Sequence, residues 1–297
     1  MGGAARSFEP ETTISRRSFI VAAAFGAATT MVPKTSVAKP SPRVRSADVG
    51  LNLGVASYSL RNFTREQAIE MTKSLGVHYI NFKSVHLAYD ASPAEFVRAR
   101  AELAAAGLEL VGGGMITFET ETDDGVRKYF DYAKSAGMPV IVCTCKADVL
   151  PRIEKFVKHY DIKIAIHNHG PEDPNFPSPY DALKAVKSMD PRMGLCIDLG
   201  HTVRAGTDPV RAVADAGPRL LDMHAKDLRD LHAVESQCVV GEGKIPIPEV
   251  FRQLRAIRYR GYVNLEYEIE PDNPLPGMRQ SLAYMRGVLA GLAATRS

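Results

Sequence analysis

The sequence contains no tryptophan, and only four of its 297 residues are cysteine. Four cysteines are too few for a disulfide framework in a chain of this length, because such frameworks are typical of much shorter secreted domains. Cys143 and Cys145 lie two apart on a predicted strand, so their side chains share one face. A metal-binding or redox pair is one interpretation of this spacing, and a pair of buried thiols is the interpretation that we favour.

A large excess of charge of either sign is also absent. The chain has 37 lysine and arginine residues against 34 aspartate and glutamate residues, for a formal net charge of +3. Removal of residues 1–38 would leave a net charge of +1. Proteins that bind nucleic acid have a basic footprint that this balance does not provide, so we expect no nucleic-acid partner.

Long apolar runs are missing except for one near the N-terminus. It extends from Phe19 to Val32 and follows Ser15-Arg16-Arg17-Ser18. The run is shorter than the ~20 residues of a membrane span, and twin arginines before such a run are typical of a twin-arginine export signal. A frayed basic terminus is the alternative. We predict a signal peptide over residues 1–38, a linker over 39–48 and a domain over 49–297, with the twin-arginine translocase as export partner, a periplasmic location and no membrane association of the mature chain.

The rest of the chain alternates between predicted strands and helices. Short apolar runs predict eight strands, over residues 51–57, 79–83, 108–117, 139–145, 163–168, 193–199, 220–226 and 262–268. Helical patterns follow these strands in turn, over residues 64–75, 93–106, 122–136, 149–160, 179–189, 208–216, 247–258 and 278–292.

Strands that alternate with helices form a parallel sheet, and eight such units close into a barrel. An open, doubly wound sheet is the alternative. That fold often places Gly-x-Gly-x-x-Gly after its first strand, and the sequence has no such motif there. The predicted fold is therefore an α/β protein of the (β/α)8 TIM barrel type.

Ionisable residues lie at the predicted ends of strands five to eight, where barrel enzymes have their active sites. Imidazole and carboxylate together suit a first-row divalent ion. A set of unrelated, hydrogen-bonded rim residues is the alternative. We predict that one divalent ion is bound by His167, Asp198, His224 and Glu266.

Side-chain parity assigns further roles at the same rim. Residues two apart on a strand share a face, so Lys226 is expected to point inward with His224, and Glu268 with Glu266. Glu266 or Glu268 is the predicted base, and Lys226 is the predicted acid or stabiliser of developing negative charge. A solvated lysine is the alternative for Lys226. The predicted substrate-binding residues are His86, His169, His201 and Lys83.

Three of these strand ends resemble the xylose-isomerase-like barrel superfamily: Cys196-Ile-Asp-Leu-Gly-His201, His224-Ala-Lys-Asp227 and Leu265-Glu-Tyr-Glu268. The resemblance covers roughly residues 50 to 292. That group includes sugar isomerases and epimerases, inosose dehydratases, 3-oxo-glycoside lyases and endonuclease-IV-type enzymes. In its epimerase branch Glu, Asp, His and Glu bind the metal. Asp198, His224 and Glu266 look like the last three, and His167 stands where the first glutamate is expected.

The resemblance implies a metal-dependent enzyme that removes a proton next to a sugar carbonyl. Two carboxylates and two imidazoles favour Mn, Co, Zn or Fe over Mg. Because one of the two glutamates that serve opposite faces of the substrate is missing, we favour β-elimination from an oxidised glycoside over epimerisation. Export favours a free sugar or glycoside over a phosphorylated one. The alternatives are a phosphodiesterase of the endonuclease-IV type and a non-catalytic sugar-binding barrel, and the oligomeric state is left open.

Overall fold

The computed structural model describes residues 50–294, so the predicted signal peptide and linker lie outside the described residues. Eight parallel strands close into a barrel in which neighbours along the chain are neighbours in the sheet. The predicted TIM-barrel fold is confirmed. The barrel strands are β1 (Asn52–Ala56), β2 (Tyr79–Phe82), β3 (Glu109–Thr117), β4 (Val140–Thr144), β5 (Lys163–His167), β6 (Met193–Asp198), β7 (Leu220–Ala225) and β10 (Tyr262–Leu265).

Helices surround the barrel, and their ends follow ordinary capping chemistry. The side chain of Thr64 accepts a hydrogen bond from the backbone N–H of Gln67, and the side chain of Gln67 accepts one from the backbone N–H of Thr64. Gly107 and Gly137 end their helices in the left-handed conformation, with φ of 72° and 79°. The helices are α1 (Arg65–Ser74), α2 (Pro93–Ala106), α3 (Asp123–Ala136), α4 (Leu150–Tyr160), α5 (Pro179–Val186), α6 (Leu199–Arg204), α7 (Pro209–Ala216), α8 (Ile247–Ala256) and α9 (Leu275–Ala294). No helix in residues 50–294 is both long and apolar enough to cross a membrane.

The two faces of the barrel sheet differ in character. Residues of one parity, such as Ile164, Ile197 and Val263, are fully buried in the large apolar core that the strands share with the helices. Residues of the other parity include a small apolar cluster of Val140, Val142, Ala165 and Cys196. All four cysteines are free and buried, so the prediction of buried thiols is confirmed.

A polar network lies inside the barrel, one layer below the rim. Asp222 accepts a hydrogen bond from Nδ2 of Asn264 at 2.9 Å and a longer one from Nδ2 of Asn81 at 3.4 Å. All three residues are buried, and burial raises the pKa of Asp222 to about 6. Gly54 leaves room for this network, since a Cβ there would lie 2.4 Å from Oδ1 of Asn264. Asp222 and Asn264 each lie two residues before a predicted metal ligand and so share its face of the strand.

Most predicted strands end one or more residues earlier in the structure, and two of these differences affect the site. The sixth strand was expected to include Leu199, but Leu199 begins α6, because the side chain of Asp198 caps that helix by accepting a hydrogen bond from the backbone of His201. The last barrel strand stops at Leu265, so Glu266 and Glu268 lie in the segment beyond it. Two short antiparallel strands, β8 (Asp227–Leu228) and β9 (Gln237–Cys238), were not predicted.

Candidate metal centre

Four side chains meet at the C-terminal ends of β5, β6, β7 and β10. His167 and Asp198 end their strands, His224 lies in β7, and Glu266 directly follows β10. The sheet register pairs Asp198 with His224 across β6 and β7, which places both side chains at one level. One ligand atom from each of the four residues lies within 4.8 Å of the others. The four residues predicted as ligands are therefore brought together, and we call them the cluster.

The spacing within the cluster is that of donor atoms around a common centre. Nε2 of His167 lies 3.7 Å from Oδ2 of Asp198. Nδ1 of His224 lies 3.9 Å from the same oxygen and 3.0 Å from Oε2 of Glu266. All four side chains are at most one-tenth exposed. Bonds from zinc to nitrogen and oxygen are about 2.0–2.2 Å, so ligand atoms at these separations can share one ion.

The two carboxylate oxygens of Asp198 have different roles, one in capping a helix and the other in the cluster. Oδ1 accepts a hydrogen bond from the backbone of His201 at 2.9 Å and so caps α6. Oδ2 faces the cluster. The backbone N–H of Asp198 donates to Oδ1 of Asn168 at 3.0 Å, which ties the end of β6 to the end of β5. Asp198 is therefore held in place before any ligand binds.

Several polar atoms of the cluster lack a hydrogen-bond partner among the described residues. They are both ring nitrogens of His167 and Nε2 of His224, all fully buried. A buried polar group without a partner costs about 1–3 kcal/mol. Imidazole and carboxylate donors together match a first-row divalent ion, which would take one ring nitrogen from each histidine. The residues present therefore fit such an ion.

Lys226 is the cation beside the cluster. Its Nζ lies 3.2 Å from Oδ2 of Asp198, 3.0 Å from Oε2 of Glu266 and 3.1 Å from Oε2 of Glu268. Burial alone would lower the pKa of Lys226, but these carboxylates outweigh burial and raise it well above its usual value. Its side chain is only 5% exposed, so the alternative of a solvated rim lysine is wrong.

The two glutamates beyond β10 differ in environment. Burial would raise the pKa of Glu266, but His224 and Lys226 outweigh it and lower the pKa well below its usual range. Burial and the charge of Glu266 raise the pKa of Glu268. The side chain of Glu266 is 10% exposed and that of Glu268 is 37% exposed. Glu266 therefore belongs to the cluster, whereas Glu268 is open to the mouth of the barrel.

Three of the predicted substrate-binding residues surround this mouth. The ring of His169 is exposed and lies 5.6 Å from that of His167 and 4.5 Å from that of His201. Burial lowers the pKa of His201 to about 3. Nζ of Lys83 donates to the backbone carbonyl of Met115 at 2.7 Å, and burial lowers the pKa of Lys83 against the opposing charges of the two glutamates.

His86, the fourth predicted substrate-binding residue, is placed differently. It is 3% exposed. Its Nδ1 lies 2.9 Å from Oγ of Ser57, and its Nε2 lies 3.2 Å from the carbonyl of Leu60. A ligand could reach either nitrogen only if one of these hydrogen bonds broke. In the structure His86 therefore connects the segments that follow β1 and β2, and its ring nitrogens are not free to bind a substrate.

Other residues that shape the site were missed at the sequence level. Gln237 of β9 donates to the carbonyl of Glu266 at 2.6 Å and accepts from the backbone of Glu268 at 3.0 Å, and thereby fixes the segment that carries both glutamates. Nothing in the sequence marks Gln237, because it comes from a loop after β7. Asp222 and Asn264 did have a signal, since each precedes a predicted ligand by two residues and therefore shares its face.

Residues 64–288 match the family of xylose isomerase-like TIM barrels. The chain belongs to this family. The match covers all the residues of the cluster and the helices α1 to α8. It also covers Lys226, Glu268 and the four predicted substrate-binding residues.

Individual relatives are more distant. Rhizopine catabolism protein MocC of Rhizobium meliloti is 26% identical over 132 residues, which are 39% of this chain and 40% of that protein. Inosose dehydratase of Bacillus anthracis is 28% identical over 141 residues, 42% of this chain and 47% of that enzyme. The chain thus spans less than half the length of these curated relatives. A solved xylose isomerase domain protein of Alicyclobacillus acidocaldarius superimposes with a TM-score of 0.69 over 81% of this chain and 99% of that one, and at 16% identity it shows the fold alone.

Proposed function

We propose that this protein is a divalent-metal-dependent enzyme that removes the proton next to the carbonyl of a sugar and completes a β-elimination. One observation carries the proposal. A buried set of imidazole and carboxylate ligand atoms, with histidine nitrogens that have no hydrogen-bond partner among the described residues, lies at the catalytic rim of the barrel beside a buried lysine and a more open glutamate. The similarity to an inosose dehydratase supports an elimination.

The cluster of His167, Asp198, His224 and Glu266 would hold the ion. When bound, a first-row divalent ion supplies Lewis acidity to a carbonyl oxygen and a fixed anchor for a neighbouring hydroxyl. Mn, Fe, Co or Zn suits two imidazoles better than Mg does. The remaining chemistry falls to groups of the chain itself.

Glu268 is the better placed of the two glutamates to move a proton. It lies at the mouth, with 37% of its side chain exposed, whereas Glu266 is nearly buried within the cluster. The raised pKa of Glu268 and the lowered pKa of Glu266 point the same way, because a general base works best when its pKa approaches the working pH. We assign proton transfer to Glu268 and ion binding to Glu266.

Lys226 would stabilise the negative charge that forms on the substrate when the proton leaves. Its ammonium group is fixed by three carboxylates at 3.0–3.2 Å and has little freedom to reorganise. A charge held in place in a water-poor site is the kind of group that stabilises a developing oxyanion. Lys226 also forms an ion pair with Glu268. When Glu268 takes up a proton, the negative charge next to Lys226 is reduced.

We favour elimination over epimerisation because epimerisation needs a proton-transferring group on each of the two faces of the substrate, and the rim lacks the second glutamate that would serve this purpose. His167 occupies the end of β5, where a second glutamate would serve the opposite face of the substrate. Elimination needs one base and an acid for the leaving group. Glu268, once it has taken the α-proton, would return that proton to the leaving oxygen as the carbon–oxygen bond breaks. Epimerisation is the second candidate, because the imidazole of His169 is exposed beside the cluster and could return a proton to the substrate.

The substrate class follows from the second part of the proposal, which concerns location. We propose that residues 1–38 direct export through the twin-arginine translocase, on the basis of Arg16, Arg17 and the apolar run after them. Phosphorylated sugars are mostly cytoplasmic. A free sugar, an oligosaccharide or a 3-oxo-glycoside is therefore the expected substrate.

The test supplies a 3-oxo-glycoside and a matching free ketose in D2O and follows both by NMR. We expect release of the aglycone with an unsaturated sugar product. Deuterium at the α-carbon of the ketose with inverted configuration, and no loss of the leaving group from the glycoside, would refute elimination and support epimerisation. Turnover of neither compound would remove the assignment to these two substrate classes.

Two isosteric variants divide the roles of the glutamates in the same assay. Glu268→Gln is expected to abolish release of the aglycone while the protein keeps its metal. Glu266→Gln is expected to lower both metal content and release. Equal loss of metal in the two variants would contradict the division of roles.

A further inference from the structure

Arg204, the last residue of the short helix α6, reaches back to the ring of His201. Its Nη1 lies 3.2 Å from Nδ1 of His201. A guanidinium group has donors and no acceptor, so Nδ1 must be the acceptor in this contact. A neutral imidazole that accepts a hydrogen bond at Nδ1 carries its proton on Nε2. The contact therefore selects one of the two neutral forms of His201.

Two features hold Arg204 in this position. Its side chain is 6% exposed and forms an ion pair with Glu172 through Nη2. Gly170 lies against the contact, and a Cβ there would be 3.2 Å from both Arg204 Nη1 and His201 Nδ1. The φ of Gly170 is +87°, which side-chain-bearing residues rarely adopt. Its N–H donates to the carbonyl of Pro177 at 3.1 Å, which fixes the backbone on this side.

His201 borders the cluster, so its protonated nitrogen matters to the site. Its backbone N–H donates to Oδ1 of Asp198 at 2.9 Å, and its ring centroid lies 5.7 Å from that of His167. The ring is half-buried at the rim where a substrate would bind the cluster. A neutral donor at such a place suits a hydroxyl or carbonyl oxygen of a sugar.

We propose that Arg204 is a positioning residue that holds His201 in its neutral, Nε2-protonated form, so that His201 donates a hydrogen bond to a substrate oxygen and does not act as the base. The location of the substrate rests on the proposed function, whereas the form of the ring does not. The proposal leaves Glu268 as the proton acceptor. It also gives Glu172 and Gly170 a role at the site, because both contact Arg204.

The test is a long-range ¹H–¹⁵N NMR spectrum of the histidine rings in the zinc-loaded protein, because the two neutral forms of imidazole give different nitrogen shifts. His201 is assigned by the signals that disappear in His201→Gln. In the wild type we expect an unprotonated Nδ1 and a protonated Nε2. In Arg204→Met, which keeps the length of the side chain but not its donors, we expect a population with the proton on Nδ1. Arg204→Lys is expected to restore the wild-type pattern in part.

Arg211→Met is the matched control. Arg211 lies on α7, is 77% exposed and pairs with Asp215 at 3.6 Å, so its loss leaves the signals of His201 unchanged. The signals of the buried His86 report whether the barrel is intact in each variant. If Arg204→Met does not fold, Glu172→Gln, which removes the charge partner of Arg204, is expected to shift His201 in the same direction. A wild-type His201 protonated on Nδ1, or a His201 pattern that neither variant changes, would overturn the proposal.

A kinetic arm separates this proposal from the proposed function. On any sugar that the wild type converts, Arg204→Met should lower kcat/KM by about 10- to 100-fold, the usual effect of losing a residue that orients a neighbour of the metal site. Arg204→Lys should recover part of the loss, and Arg211→Met should show none. A wild type that converts no sugar would count against the proposed function and leave the NMR result to decide the role of Arg204.

Discussion

Lys226 and Glu268 form an ion pair at the mouth of the barrel, with 3.1 Å between Nζ and Oε2. The same ammonium group lies within 3.2 Å of carboxylate oxygens of Asp198 and Glu266. One lysine thus contacts three carboxylates, of which two belong to the cluster. This sharing couples the charge of the cluster to the residue that we expect to move a proton.

Lys226→Met is expected to retain its metal and lose activity. The four ligands remain, so metal content measured by elemental analysis should stay at the wild-type level. Loss of a fixed donor to developing negative charge should lower kcat by about 10²- to 10³-fold. Lys73→Met is the control, because Lys73 is 53% exposed and its partner Glu70 is 3.7 Å away on the surface. Activity of Lys226→Met close to that of the wild type would contradict the assigned role.

The polar network inside the barrel should contribute to stability. Asn264→Ala removes the 2.9 Å hydrogen bond to Asp222 and leaves a buried carboxylate short of a donor. We expect the free energy of unfolding in urea to fall by about 1–3 kcal/mol. Asn62→Ala breaks an exposed hydrogen bond of 2.7 Å to Asp272 and should change it by less than about 0.5 kcal/mol. Equal effects of the two substitutions would show that the buried network contributes no more to the free energy of unfolding than an exposed hydrogen bond does.

Much of the fold and the cluster could be predicted because both depend on local sequence. Short apolar runs marked the strands and helical patterns marked the helices, and residues such as Thr64 and Gly107 begin or end helices by chemistry that acts within a few residues. Topology then required strand ends to meet at one rim. Asp198 and His224, one residue from each of two adjacent strands, could be placed together without knowledge of any contact.

The parts that could not be predicted depend on contacts between distant residues. Helix α6 starts at Leu199 because a carboxylate oxygen of Asp198 caps the N-terminus of this helix. Strand β6 is therefore shorter than the run of apolar residues predicted. The segment after β10 is held by two hydrogen bonds to Gln237, which lies in the connection after β7. Histidine is a residue type that often binds ligands, which is why His86 was predicted to do so. In the structure both of its ring nitrogens lie within hydrogen-bond distance of other residues of the protein.

The ion pair between Arg192 and Asp190 should make stability depend on pH. Two hydrogen bonds of 2.9 Å from Arg192 hold the pKa of Asp190 below its usual range. A lowered folded-state pKa stabilises the fold above the unfolded pKa of about 3.9, and the effect is lost as pH falls through the folded value. Arg192→Met should therefore lower Tm at pH 7, by an amount that shrinks below about pH 4. Arg252→Met, which loses a 3.8 Å surface contact to Glu249, is the control. A constant difference between Arg192→Met and the wild type across this range would contradict the argument.

Export can be tested without knowledge of the substrate. Replacement of both Arg16 and Arg17 by lysine keeps the charge but removes the pair that the translocase recognises. We expect the double variant to stay inside the cell at its full length, as followed by fractionation and immunoblotting. Substitution of Arg6 alone, which lies outside the motif, should leave export unchanged. Delivery of the double variant to the periplasm would mean that residues 1–38 are not this kind of signal.

The central claim is that His167, Asp198, His224 and Glu266 hold one divalent ion. Its most direct test is the metal content of the wild type and of His224→Ala, measured by elemental analysis after dialysis, with circular dichroism as a check on folding. His159→Ala, which removes an exposed histidine from α4, is the control. We predict one Mn, Fe, Co or Zn ion per chain in the wild type and the control, and little metal in a folded His224→Ala, because the site lies at the rim away from the face that stabilises the barrel. A wild type without metal, or full occupancy in His224→Ala, would contradict the claim.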